Sequence, residues 1–288
     1  MLGAGGFLVC LTLGGRTNTF RRMQELETTK TVIGMLHLPA LPGSPGFGGD
    51  RFGGNLAALG EAVLRDAEVL VAGGVRTLML ENFGDVPFYP GRVPVGVAAH
   101  MTAIAIAVRS RFDVSLGINV LRNDGLTALA VAQASGAGFI RVNVLCGARV
   151  ADQGLLQGIA HDLLRERANL KAEKIRILAD VDVKHSAGLA ARSIADETED
   201  TIYRGLADAV IVSGTGTGKP TDVAKVRAVK AAAGKTAVFV GSGVTSETLG
   251  SFLPYADGFI VGTAFKEGGV ATAAVDPDRV SAFMRRVI

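Results

Sequence analysis

Ala237-Val238-Phe239-Val240-Gly241-Ser242-Gly243 and, shortly downstream, Gly258-Phe259-Ile260-Val261-Gly262-Thr263-Ala264 follow one plan: a short apolar β-type run closed by a small-residue turn. Two such units at the end of a chain match the last two strands of a (β/α)8 barrel, whose loops often hold a phosphate. Glycine lets backbone N–H groups approach an anion closely, and a following helix N-terminus adds a favourable dipole. The expectation is a barrel of the phosphate-binding type, with Gly214, Gly241, Ser242, Gly243, Gly262 and Thr263 holding a phosphate. The competing reading is that these glycines only make tight strand-to-helix turns.

Working back from those units, β-branched runs alternate with helical stretches. Strands are expected at 32–38, 76–80, 114–119, 139–143, 175–183, 209–212, 237–240 and 258–261. Helices are expected at 56–72, 95–109, 125–135, 155–170, 193–206, 221–233, 246–252 and 277–287. Alternation this regular predicts a single α/β domain, a TIM barrel closed by right-handed crossovers, over an open doubly wound sheet. The Pro- and Gly-rich stretch 39–54 reads as a long loop covering the substrate end, with a second long loop at 82–94.

The chain has 288 residues, 48% of them hydrophobic and 20% charged, enough apolar content for one large core. The formal net charge is only +3, and Lys and Arg are scattered. No nucleic-acid partner is therefore expected. Cys10 and Cys146 form no paired spacing, so neither a disulfide framework nor a zinc motif is read, and the expected location is cytoplasmic. Residues 1–15 are apolar but too short and glycine-rich to span a bilayer, so no integral membrane association is expected. Residues 1–30 read as an extension outside the barrel, with Met23 as the expected native start and a peripheral anchor as the alternative. The barrel itself is placed at 31–288.

In a barrel, chemistry gathers where strands end. The polar residues expected there are His37, Glu81, Asn82, Asn119, Arg141, Asn143, Asp180, Asp182, Lys184, His185 and Ser213. Asp180, Asp182 and Lys184 are two apart, so a regular strand turns all three to one face. An Asp beside a Lys suits proton transfer next to a carbonyl. Catalysis is accordingly assigned to Asp180, Asp182, Lys184, Glu81 and His37, with a Schiff base at Lys184 or a structural ion pair as alternatives. Asn82, Asn119, Arg141, Asn143, His185 and Ser213 are the expected substrate contacts. No cofactor is indicated, and a divalent metal on His37, Glu81, Asp182 and His185 is the alternative to acid–base use, although no ligand motif fixes it. His100 and His161 fall inside predicted helices and read as surface or packing residues.

Two motifs fail on inspection. The stretch Ser213-Gly214-Thr215-Gly216-Thr217-Gly218-Lys219-Pro220 lacks both the first Gly and the closing Ser or Thr of a Walker A loop. Cys146 follows the fourth strand, but nothing in the sequence supplies it with the positive surroundings of a reactive thiol.

Several longer stretches resemble one family. Val32-Ile33-Gly34-Met35-Leu36-His37-Leu38-Pro39-Ala40-Leu41-Pro42-Gly43-Ser44-Pro45, Glu81-Asn82-Phe83-Gly84-Asp85-Val86-Pro87-Phe88 and Asn119-Val120-Leu121-Arg122-Asn123-Asp124 are similar to signatures of the BtpA/SgcQ family. So are Arg141-Val142-Asn143 and Asp180-Val181-Asp182-Val183-Lys184-His185-Ser186. The resemblance begins near Thr31 and implies a TIM barrel. Its photosynthetic members are associated with photosystem I biogenesis as a peripheral thylakoid factor, and others accompany sugar-phosphate metabolism as predicted enzymes. Taken with the strand-end chemistry, the expected function is a lyase or isomerase acting on a small phosphorylated sugar or related metabolite, with a non-catalytic assembly factor as the alternative. A homo-oligomer fits either. Asp182-Val183-Lys184 also partly resembles the Asp-x-Lys-x-x-Asp element of the orotidine-monophosphate decarboxylase suprafamily. Ala187 replaces its last Asp and the strand is the fifth rather than the third, so decarboxylation is not expected.

Overall fold

A computed structural model describes residues 30–49, 51–214, 216 and 219–287; the predicted extension, 1–30, lies almost wholly outside them. The strands are β1 (Thr31–His37), β2 (Thr77–Glu81), β3 (Ser115–Asn119), β4 (Phe139–Val142), β5 (Ala148–Ala151), β6 (Gly154–Gln157), β7 (Arg176–Val181), β8 (Ser186–Gly188), β9 (Ala209–Val212), β10 (Ala237–Val240) and β11 (Gly258–Val261). Eight of them close a parallel barrel in the order β1, β11, β10, β9, β7, β4, β3, β2. The pairing of β1 with both β11 and β2 completes the ring and rules out the open sheet.

Around the barrel run α1 (Leu56–Ala72), α2 (Val95–Arg111), α3 (Gly125–Ser135), α4 (Ala160–Asn169), α5 (Ile194–Glu199), α6 (Val223–Ala232), α7 (Leu249–Phe252) and α8 (Pro277–Val287). In α1 the buried residues Leu59, Val63, Ala67 and Leu70 recur at helical spacing, so one stripe faces the strands. Asn55, Asp124 and Asp222 each cap a helix by accepting a backbone N–H, which fixes where α1, α3 and α6 begin. Lys266 is buried and its ammonium donates to Asp66 at 2.6 Å, pinning the segment after β11 to α1. No helix among the described residues is long and apolar enough to cross a membrane.

Strand side chains alternate between two faces. Outward residues such as Leu36, Leu78, Ile118, Ile140, Ile177 and Val210 join the helices in one large core. Inward residues Ile33, Met35, Met79, Phe139, Leu178, Ile211, Phe239 and Ile260 fill the barrel. Glycine is required at two inward positions: a Cβ at Gly117 would overlap the Phe139 ring, and one at Gly258 the Phe239 ring.

Four expected elements are redrawn. Residues 155–157 belong to a β5–β6 hairpin, which with β8 forms a small antiparallel sheet after β4. The predicted 155–170 helix therefore begins only at Ala160. The strand expected at 175–183 stops at Val181, because Asp182 takes a left-handed backbone (φ 54°). The helix expected at 193–206 is α5 continued by a π-turn at Asp200–Arg204. The helix expected at 246–252 is the single turn α7.

Candidate active site

One step above the apolar filling, the same inward parity reaches His37, Glu81, Asn119, Arg141, Asp180, Ser213, Gly241 and Gly262, one residue from each barrel strand or its end. His37, Glu81, Asn119 and Arg141 are register partners across β1, β2, β3 and β4. The mouth of the barrel is thus a polar ring on an apolar floor.

Half of that ring is locked. The Arg141 guanidinium donates to both Asp180 oxygens at 2.9 and 2.8 Å, and Asn143 and Ser213 donate to the same carboxylate at 2.9 and 3.2 Å. Arg141 and Asp180 are almost entirely buried. Although burial works against its charge, the Asp180 contacts hold the Arg141 guanidinium above its ordinary range. With four donors on it, Asp180 lacks a free lone pair suited to take a substrate proton. Its expected role as a proton carrier gives way to that of an anchor.

The other half has capacity left. Glu81 accepts from Asn119 at 2.5 Å through one oxygen. Its other oxygen lies 3.8 Å from His37 Nε2. His37 Nδ1 lies 3.0 Å from the Ala271 carbonyl oxygen, and its ring stacks on Phe83 at 4.4 Å. Burial, the largest influence, pushes the His37 pKa down. Glu81 and the Ala271 contact pull the other way; because a carbonyl can only accept, Nδ1 is the nitrogen that donates to Ala271, and the net shift favours a ring whose Nε2 turns its lone pair toward Glu81. Three buried polar atoms here have no partner among the described residues: Asn119 Oδ1, Asn143 Oδ1 and Arg122 Nε. Buried groups of this kind are normally satisfied, so each has room for a ligand contact.

Lys184 lies beside these groups, and its ammonium makes no hydrogen bond or ion pair with another described residue. Burial lowers its pKa, and Arg141 and Arg122 lower it further against the pull of Glu81 and Asp180. His185 has a left-handed backbone (φ 57°) and an exposed side chain at the rim, its pKa lowered by burial and then by Lys184 and Arg122.

Asp182 does not join the ring. The turn that ends β7 swings it toward Arg149 of β5 and Lys225 of α6, both of which donate to its carboxylate, and it stays 38% exposed. The shared face expected for Asp180, Asp182 and Lys184 is broken by one backbone angle. Asn82 is also otherwise engaged: it accepts from Leu121 N–H at 2.7 Å and donates to Asp85 and the Leu121 carbonyl, bracing the loop after β3. Among the described residues no three His, Cys, Asp or Glu side chains gather as a metal would require. The metal set proposed from His37, Glu81, Asp182 and His185 is not brought together. Burial and Asp200 raise the Cys146 thiol pKa, opposite to what a nucleophile needs.

The glycine turns are packed tightly. Gly214 N–H donates to Ser242 Oγ at 3.2 Å, and Thr221 donates to the Ser242 carbonyl at 2.8 Å. The backbone at Lys219 and Pro220 lies directly over Gly214 and over Gly243, whose φ is 69°. Gly241 lies against Ile211 and Ser213, and Gly262 against His37, so both make room for neighbours in the ring. A cavity of about 240 Å³ reaches Asn143 and Asp180 from the side, between β5, α5 and residues 188–190.

Residues the sequence reading passed over include Arg122, whose Nη2 donates to the Lys184 carbonyl at 2.5 Å. It stands three residues past the end of β3, within a stretch already singled out, and its position was the available signal. Arg149 was signalled only by the hairpin pattern Arg149-Val150-Ala151 before Asp152-Gln153-Gly154.

Comparison with known proteins gives the family and the fold. The photosystem I biogenesis protein BtpA of Synechocystis is 44% identical over 261 residues, 91% of this chain and 89% of that one. An uncharacterized protein of Thermococcus kodakarensis is 45% identical over 87% of this chain and 92% of its own length. Among solved structures, N-(5'-phosphoribosyl)anthranilate isomerase from Pyrococcus furiosus aligns with TM-score 0.55 at 13% identity, covering 90% of this chain and 98% of that one. KGPDC from Streptococcus mutans aligns with TM-score 0.52 at 14% identity, covering 90% and 97%. At such identities the two structures speak for the fold alone. The BtpA family profile matches residues 28–288, and the chain belongs to the BtpA family.

Proposed function

We propose that the protein is an enzyme of isomerase or lyase type acting on a small phosphorylated carbonyl metabolite at the barrel mouth. The observation that carries this reading is the unfilled side of the ring: Lys184, half-buried and with no hydrogen-bonding partner for its ammonium among the described residues, stands beside His37 and a Glu81 carboxylate that accepts a single hydrogen bond. A structural barrel gains nothing from desolvating such a group. In this reading the His37–Glu81 pair takes a proton from the carbon next to the substrate carbonyl. The C–H electron pair becomes the enediolate double bond and the carbonyl pair moves onto its oxygen, which Lys184 stabilises. The proton returns to the former carbonyl carbon while the adjacent hydroxyl's proton passes to the former carbonyl oxygen, giving the isomer. Asn119 orients Glu81, and Arg141 with Asp180 keeps the ring rigid. The names of the phosphoribosylanthranilate isomerase neighbours add the phosphorylated class as an analogy of fold.

The test is solvent exchange: a panel of aldose and ketose phosphates is incubated with the protein in D2O and followed by proton NMR. Deuterium should enter next to the carbonyl of at least one member, and Glu81→Gln should slow that exchange roughly 100-fold or more with the fold intact by circular dichroism. A panel in which no member exchanges or raises the melting temperature would sink the reading. The Synechocystis relative's name favours one second reading, an assembly factor. The exposed Val86, Tyr89 and Val95 around the loop after β2 would then form its contact surface. In that case Tyr89→Glu, rather than Lys184→Met, would abolish function.

A further inference from the structure

We propose that the anionic group of the substrate binds to Arg122, His185 and Lys219, beside Lys184, and not to the glycine turns after β10 and β11. The inference rests on the functional reading above and names the part of the site that recognises a phosphate dianion.

Three loops bring these residues together. Arg122 comes from the loop after β3, is only 4% exposed, and is fixed by its bond to the Lys184 carbonyl. Its Nε is buried without a partner among the described residues, so the guanidinium fork keeps a donor for an oxyanion. Lys184 and His185 come from the turn after β7. Lys219 comes from the loop after β9. A Cβ on Gly216 would stand 3.3 Å from the His185 ring and 3.2 Å from the Lys219 stem, so both side chains border that glycine.

Positive groups crowded this way disfavour one another. Burial is the largest influence against charge on His185, Lys184 and Arg122; beyond it, Lys184, Arg122 and Lys219 act against protonation of His185, and Arg141 opposes Arg122 and Lys184. Asp180 and Glu81 offset this at Arg122 and Lys184, whereas at His185 Asp152 acts against three cations. Asp180 is also bound by Arg141, and Asp152 reaches Arg122 and His185 from the hairpin tip. A dianion between these loops relieves the repulsion, as opposite charge does for any such cluster. At the turn after β10, by contrast, the Lys219–Pro220 backbone covers Gly243 and the Ser242 hydroxyl accepts the Gly214 N–H from the loop after β9, while at the turn after β11 Gly262 is closed over by the His37 ring. A substrate anchored at Arg122 and Lys219 would present its carbonyl to Lys184 and its acidic carbon to Glu81 and His37.

The experiment titrates inorganic phosphate, and then the sugar phosphate of highest affinity, into the full chain by calorimetry, with the His185 ring signal followed by NMR. Lys219→Gln, an exposed position, should weaken phosphate binding about tenfold with no change in melting temperature. Arg122→Gln should weaken it more, Thr263→Ala should leave it within about twofold, and the His185 signal should move on phosphate addition. If Thr263→Ala abolishes binding while Lys219→Gln and Arg122→Gln bind normally, the anion sits at the glycine turns. This proposal then falls while the enzymatic reading stands. If the wild-type chain binds neither phosphate nor any sugar phosphate, both fall together.

Discussion

Asp180 and Glu81 are both buried carboxylates at the mouth of one barrel, and their surroundings differ. Asp180 receives four hydrogen bonds from three side chains, whereas Glu81 receives one and has His37 Nε2 3.8 Å from its other oxygen. Saturation makes the first a structural element; unfilled capacity makes the second a candidate for chemistry. The sharpest way to break this contrast is to delete each charge. Asp180→Ala leaves Arg141 buried without its partner and should cost about 3–5 kcal/mol, lowering the melting temperature by roughly 10 °C. Glu81→Gln keeps shape and most polarity and should cost about 1 kcal/mol or less, while removing exchange. Calorimetry on the two variants checks both. The reverse order of destabilisation would erase the distinction between anchor and reactive group.

A second test uses pH. Burial holds the folded-state pKa of His37 below its ordinary value of 6.5. As pH falls through 6.5, the unfolded chain therefore takes up this proton before the folded one does. Stability contributed by the neutral ring is complete above pH 6.5 and declines below it, by at most about 1.4 kcal/mol per pH unit. His37→Gln, which cannot titrate, should show a shallower loss between pH 6.5 and 5 than the wild type in paired denaturation curves. A wild-type curve no steeper than the variant's would mean that His37 is charged in the fold and cannot accept a proton from substrate.

How much of this was legible in the chain follows from which signals are periodic. The barrel was readable because alternation within strands and their spacing are properties of the sequence itself, and the inward parity that fills the barrel with Met79, Phe139 and Phe239 extends one step to Glu81, Arg141 and Gly241. Residues placed by loops were not readable. Arg122 and Lys219 meet Lys184 and His185 only because three separate loops converge, and nothing local records that convergence. The second strand of the hairpin, β6, was read as the start of a helix, since Leu155 and Leu156 also suit helical spacing with Leu163, and the Asp152-Gln153-Gly154 turn was the local sign against it. The locking of Asp180 was hidden for a related reason. A sequence shows which side chains can donate, but not how many do so to one acceptor.

Asp182 shows how far one residue can depart from a periodic pattern, and it gives the smallest of the expected effects. Strand alternation predicts that it points into the barrel beside Asp180, yet its φ of 54° ends the ladder and turns it toward Arg149 and Lys225. A left-handed backbone is unfavourable for Asp by less than for most residues, which lets the chain leave the strand here. Its ion pairs are 38% exposed on the carboxylate side, so solvent screens them and their net worth is about 1 kcal/mol or less. Asp182→Asn should therefore lower stability by no more than that and leave deuterium exchange within about threefold of wild type. A 100-fold loss of exchange in a variant that still folds would mean that Asp182 turns back into the mouth when substrate binds, and the proton would then have to be assigned to it and not to the His37–Glu81 pair.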